Sequence, residues 1–399
     1  MLLSWALAKF VNMQKLRVGG LSAMPEGRGA GRRPPGVRPA VLILCALALL
    51  WNAGDVAHNR GLWGVDFNQF YSSSRLAGTG RLYDWDALRK LEAENTPPIP
   101  TARLPIVSYG YKLFAVMPFR SARYAWLAAS LAALIAFAAL WPGVKRRDLW
   151  LALICSLPAA ALLLYGQDVP FWMMFFAAGL ALLQRGKPRL AGLAFSLCVC
   201  KYHLALGLPV MLAAQKRWTA LISGAAATGL WVAASFAVEG SGWPAEYWKI
   251  LKLPDLSPKV GCMPNVYGLA SWLPGSVALE AVAAVAVAGL LWTVCLRTYS
   301  VGVAGAAAAA GGLLLSHHAY PGDCLLLLPL CVATIGRSAA PRALKAWAVL
   351  LLTPALVKLL FSPVSYVGQA LVVGFVVASL WVARQSPGSL QKRTAEPSA

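Results

Sequence analysis

Apolar runs close to bilayer length recur along almost the whole chain, and this repetition limits the fold more than any other feature. Hydrophobic residues make up 59% of the 399 residues and charged residues only 13%, whereas a soluble domain carries about 25% charge. A run of roughly 20 apolar residues is long enough to cross the hydrocarbon core as a helix. The sequence therefore predicts an all-α polytopic membrane protein without a soluble domain of any size between its spans.

The charge distribution predicts the orientation of these spans. The net charge is +21, from 36 basic and 15 acidic residues, and the basic residues gather in short loops as the positive-inside pattern requires. This distribution argues against nucleic-acid binding. The predicted orientation leaves a basic N-terminal tail (1–38) and a C-terminal tail (385–399) in the cytoplasm. A single membrane domain (39–384) lies between these tails. No small-residue cleavage site follows the first apolar run, so we expect this run to be a membrane anchor rather than a removed signal peptide. The uncleaved anchor and the basic loops fit a protein of the bacterial inner membrane.

We expect about ten to twelve membrane helices. The predicted spans fall at about 39–54, 122–141, 148–165, 169–184, 190–214, 218–237, 275–296, 301–316, 323–336, 344–362 and 364–384. Two large extracytoplasmic loops are predicted at 55–121 and 238–274, and the first should contain short helices, because 105–119 is too short to span. The stretch 190–214 is interrupted at Lys201 and is predicted to be two short helices, which keeps the next basic loop inside.

Polar residues collect at the outer ends of the spans in this orientation. Asp66 follows the first span and lies among Phe67 and Phe70, where an uncompensated carboxylate is costly. The other members of this outer set are Gln167, Asp168, Lys201, Tyr202, His203, Asn265, Ser316, His317, His318 and Asp323. The sequence therefore predicts a polar site that faces away from the cytoplasm.

Several of these residues have two readings. The Lys201 ammonium lies far from either basic loop, so it binds an anion or forms a structural ion pair. Asp168 precedes a Val-Pro pair, which makes capping of the next helix its default use, and Asp323 is either a cap or a site residue. For His317 and His318, hydrogen bonding or proton transfer is favoured over metal binding, because no further His or Cys has matching spacing.

An Asp84-Trp85-Asp86 sequence resembles a metal-holding pair. The same residues also read as an ordinary turn before a helix at 85–94, and that reading is favoured. No metal site is predicted. The eight cysteines form no CxxC pair and are expected to be packing residues.

Six short motifs occur in this order: Asp66-Phe67-x-x-Phe70-Tyr71, Leu82-Tyr83-Asp84, Ser108-Tyr109-Gly110-Tyr111, Tyr165-Gly166-Gln167, Cys200-Lys201-Tyr202-His203, and Ser316-x-His318 with Asp323-x-Leu325. Taken together, they resemble glycosyltransferase family 87 of the GT-C superfamily, whose enzymes use polyprenyl-phosphate sugars. The resemblance covers about 60–345. The chain departs from the family's pattern at three places. Gly110-Tyr111 replaces a pair of prolines, Tyr202-His203 replaces Pro-Gln, and His317 replaces a proline. These departures leave the identity of the donor and of the acceptor open.

The resemblance implies a GT-C-type bundle and a reaction. A hexose, mannose being the first guess, would pass with inversion from a polyprenyl phosphate to a lipid or glycan acceptor outside the cytoplasm, without a further cofactor. Asp66 would be the general base, while Lys201 and His318 would stabilise the leaving phosphate. The remaining donor- or substrate-binding residues that the resemblance implies are His203, Gln167, Tyr109 and Asp323.

Two other classes of protein remain as alternatives. A multispan transporter or lipid flippase would line its path with polar intramembrane residues. The chain shows no convincing internal repeat, and its polar residues gather at one face rather than through the bilayer, which favours the enzyme. A non-catalytic assembly subunit would not need Asp66, Lys201 and His318 together.

Overall fold

A computed structural model describes residues 39–93, 98–253, 260–298 and 300–384. The predicted tails 1–38 and 385–399 lie outside the described residues. Within the described ranges the chain is helical and contains no β-strand, which confirms the prediction of an all-α polytopic membrane protein. From Leu44 onward the described residues belong to one compact unit.

The first span and the loop after it contain one long helix and several short ones. The elements are α1 (Pro39–His58), a 3-10 turn (Arg60–Leu62), α2 (Val65–Leu76), α3 (Trp85–Ala93), α4 (Pro105–Gly110) and α5 (Lys112–Ala115). Helix α1 continues four residues beyond its predicted end. The short helices predicted for the first large loop are confirmed.

The next part of the chain carries the spans that enclose the site. Its elements are α6 (Phe119–Leu140), α7 (Arg146–Cys155), α8 (Leu157–Tyr165), α9 (Val169–Gln184), α10 (Pro188–Ser196), a 3-10 segment (Leu197–Ala205), α11 (Gly207–Ala214) and α12 (Trp218–Glu239). The span predicted at 148–165 is bent by 65° between α7 and α8. The bend falls at Ser156, whose side chain caps α8 by accepting the Ala159 N–H.

The last part of the chain completes the bundle. Its elements are α13 (Trp243–Leu251), a 3-10 turn (Val260–Cys262), α14 (Val266–Ala270), α15 (Ser276–Arg297), α16 (Val301–Leu315), a 3-10 turn (Pro321–Leu327), α17 (Leu328–Gly336), α18 (Arg342–Leu351), α19 (Pro354–Leu360) and α20 (Ser365–Arg384). Within the described ranges, α6, α12, α15 and α20 are long and apolar enough to cross a membrane, and the number rises to seven if each bent pair is one span.

Helix α16 lies at the centre of the bundle because its sequence is mostly Ala and Gly. Small residues let neighbouring backbones approach closely. A Cβ on Gly207 would lie 2.1 Å from the Ala308 carbonyl oxygen, and a Cβ on Gly312 would lie 2.2 Å from that of Leu204. These two contacts fix the broken segment 188–214 against α16.

The stretch 190–214 is broken, as predicted. The two halves meet at an angle of 116°, and Lys201 has non-helical backbone angles (φ −138°, ψ 63°) inside the intervening 3-10 segment. The break turns the Lys201 side chain into the protein, where it is almost completely buried.

Helix α2 is anchored by aromatic side chains and by one close backbone contact. Phe67 and Phe70 are fully buried against Trp126. The turn after α8 approaches so closely that a Cβ on Gly166, whose φ is +78°, would lie 2.6 Å from the Phe67 Cβ. The first turn of α2, which carries Asp66, is therefore fixed beside Gln167.

Candidate active site

Asp66 is partly exposed in the first turn of α2. The Gln167 side chain lies within hydrogen-bonding reach of its carboxylate. Burial raises the pKa of Asp66 to about 6, although the Gln167 hydrogen bond and the positive charges of Lys201 and Arg103 oppose this rise. A carboxyl group that titrates near neutral pH and remains accessible is suited to proton transfer.

Lys201 forms a buried ion pair with Asp323. The Lys201 Nζ lies 2.6 Å from Asp323 Oδ1, and the two side chains are 1% and 0% exposed. The other carboxylate oxygen of Asp323 accepts the Tyr320 N–H at 2.8 Å, so Asp323 also caps the 3-10 turn in which it is the third residue. Of the two readings for Lys201, the structure shows the ion pair. The ammonium keeps further N–H donors beyond the one that Asp323 accepts.

A second ion pair, between Arg103 and Asp168, was not predicted from the sequence. The Arg103 Nε and Nη2 donate to the two Asp168 oxygens at 2.9 and 3.1 Å, and the Tyr111 hydroxyl lies 3.3 Å from the same carboxylate. The prediction that Asp168 caps α9 is wrong. It occupies the N-cap position, but its side chain makes no capping bond because the carboxylate is committed to Arg103. The one sequence feature that pointed to this ion pair was the position of Arg103, in the first outer loop just before the non-spanning segment 105–119.

The two histidines of the late loop face different neighbours. His318 lies beside His203 and Tyr320, with ring centroids 5.9 and 5.0 Å apart. Burial lowers the pKa of His318 to about 4, so its ring is neutral at pH 7. His317 instead contacts Glu280, with Nδ1 2.7 Å from Oε1, and stacks on Tyr267.

Tyr109 is exposed and lies beneath the Lys112 ammonium, which is 4.7 Å from its ring centroid. In the Ser108-Tyr109-Gly110-Tyr111 motif, Tyr111 rather than Tyr109 contacts Asp168. Of the residues predicted for the site, Asp66, Gln167, Lys201, His203, His318 and Asp323 are brought into one polar cluster with Arg103 and Asp168.

The Asp84-Trp85-Asp86 sequence has local structural roles. Asp84 accepts hydrogen bonds from Arg81 and from the Ala87 N–H, and so begins α3. Asp86 is exposed and lies 3.6 Å from Arg89. Across the part of the chain that the structure describes, no group of three His, Cys, Asp or Glu side chains is placed to hold a metal ion.

Two apolar cavities are lined in part by residues that immediately precede Lys201. One, of about 400 Å³, is lined by residues that include Cys198, Val199 and Tyr202. The other, of about 320 Å³, shares Val199 and includes Tyr111 and Cys200. The two chain neighbours of Lys201, Cys200 and Tyr202, thus each line an apolar cavity, and such a cavity is suited to hydrocarbon chains.

Fold and site together define an integral membrane protein with a polar cluster at the ends of several spans. The family model for glycosyltransferase family 87 matches residues 105–321, and the chain belongs to this family. The match includes Gln167, Lys201 and His318, while Asp66 precedes it. No curated protein and no solved structure matches the chain.

Proposed function

We propose that this glycosyltransferase moves a hexose, with mannose as the first candidate, from a polyprenyl-phosphate donor to a lipid or glycan acceptor outside the cytoplasm, with inversion. The acceptor hydroxyl oxygen attacks the anomeric carbon while Asp66 takes its proton. The bond from that carbon to the phosphate oxygen breaks, and the lipid phosphate leaves. The observation that carries the proposal is the accessible Asp66 carboxyl with a pKa raised to about 6.

The elevated pKa suits a base that works near neutral pH. Below its pKa the carboxyl is protonated and cannot accept a proton, whereas a pKa much lower than 6 would make the carboxylate a weaker base. The Gln167 side chain lies within hydrogen-bonding reach of the carboxylate and can orient it. The aromatic packing of Phe67 beneath the same helical turn limits its movement.

The leaving phosphate requires donors in a place of low dielectric. Lys201 and Arg103, the two cations of the polar cluster, already have carboxylate partners, so they contribute remaining N–H groups rather than unpaired charge. His318 is neutral at pH 7 and contributes a ring N–H. Several hydrogen bonds rather than one free cation would therefore stabilise the phosphate.

The apolar cavities support a donor carried on a lipid. Tyr202 lines the larger cavity and follows Lys201 directly, so a chain that lies there would have its head group beside the polar cluster. A water-soluble nucleotide sugar has no use for such a cavity. The bundle's membrane location favours the same class of donor.

The test uses membranes that contain the wild-type protein and radiolabelled donors. Polyprenyl-phosphate mannose, polyprenyl-phosphate glucose and GDP-mannose are supplied separately, and label in a new lipid or polymer product is measured against membranes without the protein. The proposal expects transfer from a polyprenyl-phosphate sugar. Transfer from GDP-mannose under conditions that block polyprenyl-phosphate sugar synthesis would contradict the donor, and the absence of any labelled product would contradict the function.

A further inference from the structure

Glu92 is a buried carboxyl group for which the proposed mechanism has no role. It lies near the C-terminal end of α3 and is only 1% exposed. Its Oε2 accepts the Ile99 N–H at 2.5 Å, while its Oε1 is buried and has no hydrogen-bond partner among the described residues. Buried polar atoms are usually paired, so this oxygen needs an explanation.

The segment that Glu92 holds leads directly to the active site. Residues 98–103 run from the Ile99 contact to Arg103, which pairs with Asp168. Helix α2 fixes the same segment through Gln69, whose amide donates to the Pro100 carbonyl. The path from Glu92 to the site is therefore a short, non-helical stretch of backbone held at two points.

Helix α2 also fixes the position of Glu92 itself. Asn68 Nδ2 donates to the Glu92 backbone carbonyl at 2.8 Å, and Asn68 lies two residues after Asp66. Asp66 is the charged group from the packed helix that acts on Glu92. On its own helix, Asp86, Arg89 and Lys90 are exposed. Glu92 thus lies between the base-bearing helix and the segment that presents Arg103.

The buried position favours the neutral carboxyl. The pKa of Glu92 is raised to about 8: burial raises it most, the Ile99 N–H lowers it, and the Asp66 charge adds to the rise. Because Oε2 is the oxygen that accepts a hydrogen bond, the proton belongs on Oε1. An ionised Glu92 would be a desolvated anion on which no cationic group of the described ranges acts, and it would draw water into this part of the loop.

We propose that Glu92 is a positioning residue whose protonated form fixes residues 98–103, and through them Arg103, in the active site. Loss of the proton opens the segment to water and displaces the pair between Arg103 and Asp168. The inference rests on the proposed function only for its effect on catalysis. The effect on the segment itself can be measured without any substrate.

The first measurement follows hydrogen exchange of the peptide that contains residues 98–103 in the purified full-length protein between pH 6 and 9.5. Rates are corrected for the intrinsic rise of exchange with pH. In the wild type we expect protection of this peptide to fall by up to about tenfold per pH unit between pH 6 and 8 and to level off above pH 8, because the closed segment keeps the Glu92 proton up to its pKa of about 8 whereas the opened segment has already lost it. In Glu92→Gln, which stays neutral and keeps an oxygen for Ile99, protection should not change with pH.

The second measurement is the pH profile of transfer with the best donor. We expect an alkaline decline in kcat/KM near pH 8 in the wild type that is absent in Glu92→Gln, whose activity at pH 7 should remain within about threefold. The exposed Glu246 provides the control, and Glu246→Gln should keep both wild-type profiles. An unchanged alkaline decline in Glu92→Gln, or identical pH-dependent exchange in wild type and Glu92→Gln, would overturn the inference. If transfer is absent altogether, the exchange experiment still decides the role of Glu92.

Discussion

The buried pair between Lys201 and Asp323 allows a quantitative test of what holds the broken segment in place. Asp323→Asn keeps the shape of the side chain and an oxygen for the Tyr320 N–H, but it removes the negative charge beside Lys201. The 2.6 Å contact is between side chains that are 1% and 0% exposed. Removal of one partner from such a pair typically costs about 3–5 kcal/mol, because the other charge stays buried without compensation.

The chain offers a matched control for burial. Lys249 and Glu246 also approach to 2.6 Å, but their side chains are 71% and 51% exposed. Glu246→Gln makes the same chemical change and should cost about 0–1 kcal/mol, since water screens an exposed pair. The two variants differ in the burial of the ion pair but not in its length, so the difference between their losses of unfolding free energy measures the effect of burial.

The assay is thermal unfolding of the purified protein in one detergent, followed by tryptophan fluorescence. We expect Asp323→Asn to lower the midpoint by roughly 5–10 °C, from the usual relation between free energy and midpoint in larger domains. The double variant Lys201→Met with Asp323→Leu should recover most of this loss, because apolar replacement of a whole buried pair is often neutral. Equal midpoints for Asp323→Asn and Glu246→Gln, or a double variant no better than the single one, would refute the reasoning.

Three further predictions concern the base and its support. Asp66→Asn should slow transfer strongly and raise the free energy of unfolding at pH 7 by about 1–3 kcal/mol. The folded-state pKa is raised to about 6, so ionisation weakens the fold as pH rises from about 4 to 6, and partial exposure reduces the effect. Equal or lower stability in chemical unfolding would contradict this sign. Gln167→Ala removes a hydrogen bond that lowers the pKa of Asp66, so the acid limb of kcat/KM should move to higher pH, and an unmoved limb would exclude that contact. Gly166→Ala should destabilise the protein by more than Gly186→Ala. Both glycines have positive φ, but only at Gly166 would a Cβ lie against Phe67. Equal losses in thermal unfolding would contradict this close approach.

The helical spans could be predicted because bilayer length and loop charge constrain the sequence strongly. The break near Lys201 was predictable for the same reason, since an unbroken helix would have placed Lys216 and Arg217 on the wrong side. The bend at Ser156 was not, because an apolar stretch of full length gives no sign of its shape. The observed end of α1 lies about one helical turn beyond its predicted end, because the apolar pattern fades gradually there.

Much of the polar cluster could be located from the sequence, but its pairings could not. Asp66, Lys201 and His318 are conspicuous because polar groups beside a membrane are costly. The partners of Lys201 and Asp168 depend on tertiary contacts that span 122 and 65 positions in the chain. Arg103 was missed because an arginine in a polar outer loop is not unusual until its carboxylate partner is known.

The most direct test of the central claim is the transfer rate of Asp66→Asn under single-turnover conditions at pH 7, with labelled polyprenyl-phosphate sugar and saturating acceptor. Asp86→Asn, a change at an exposed carboxylate of the same loop, is the control. Loss of a general base predicts a rate reduced by about 10²–10⁴-fold with donor binding nearly unchanged, and a normal rate in the control. Transfer by Asp66→Asn at the rate of Asp86→Asn would contradict the assignment of Asp66 as the base.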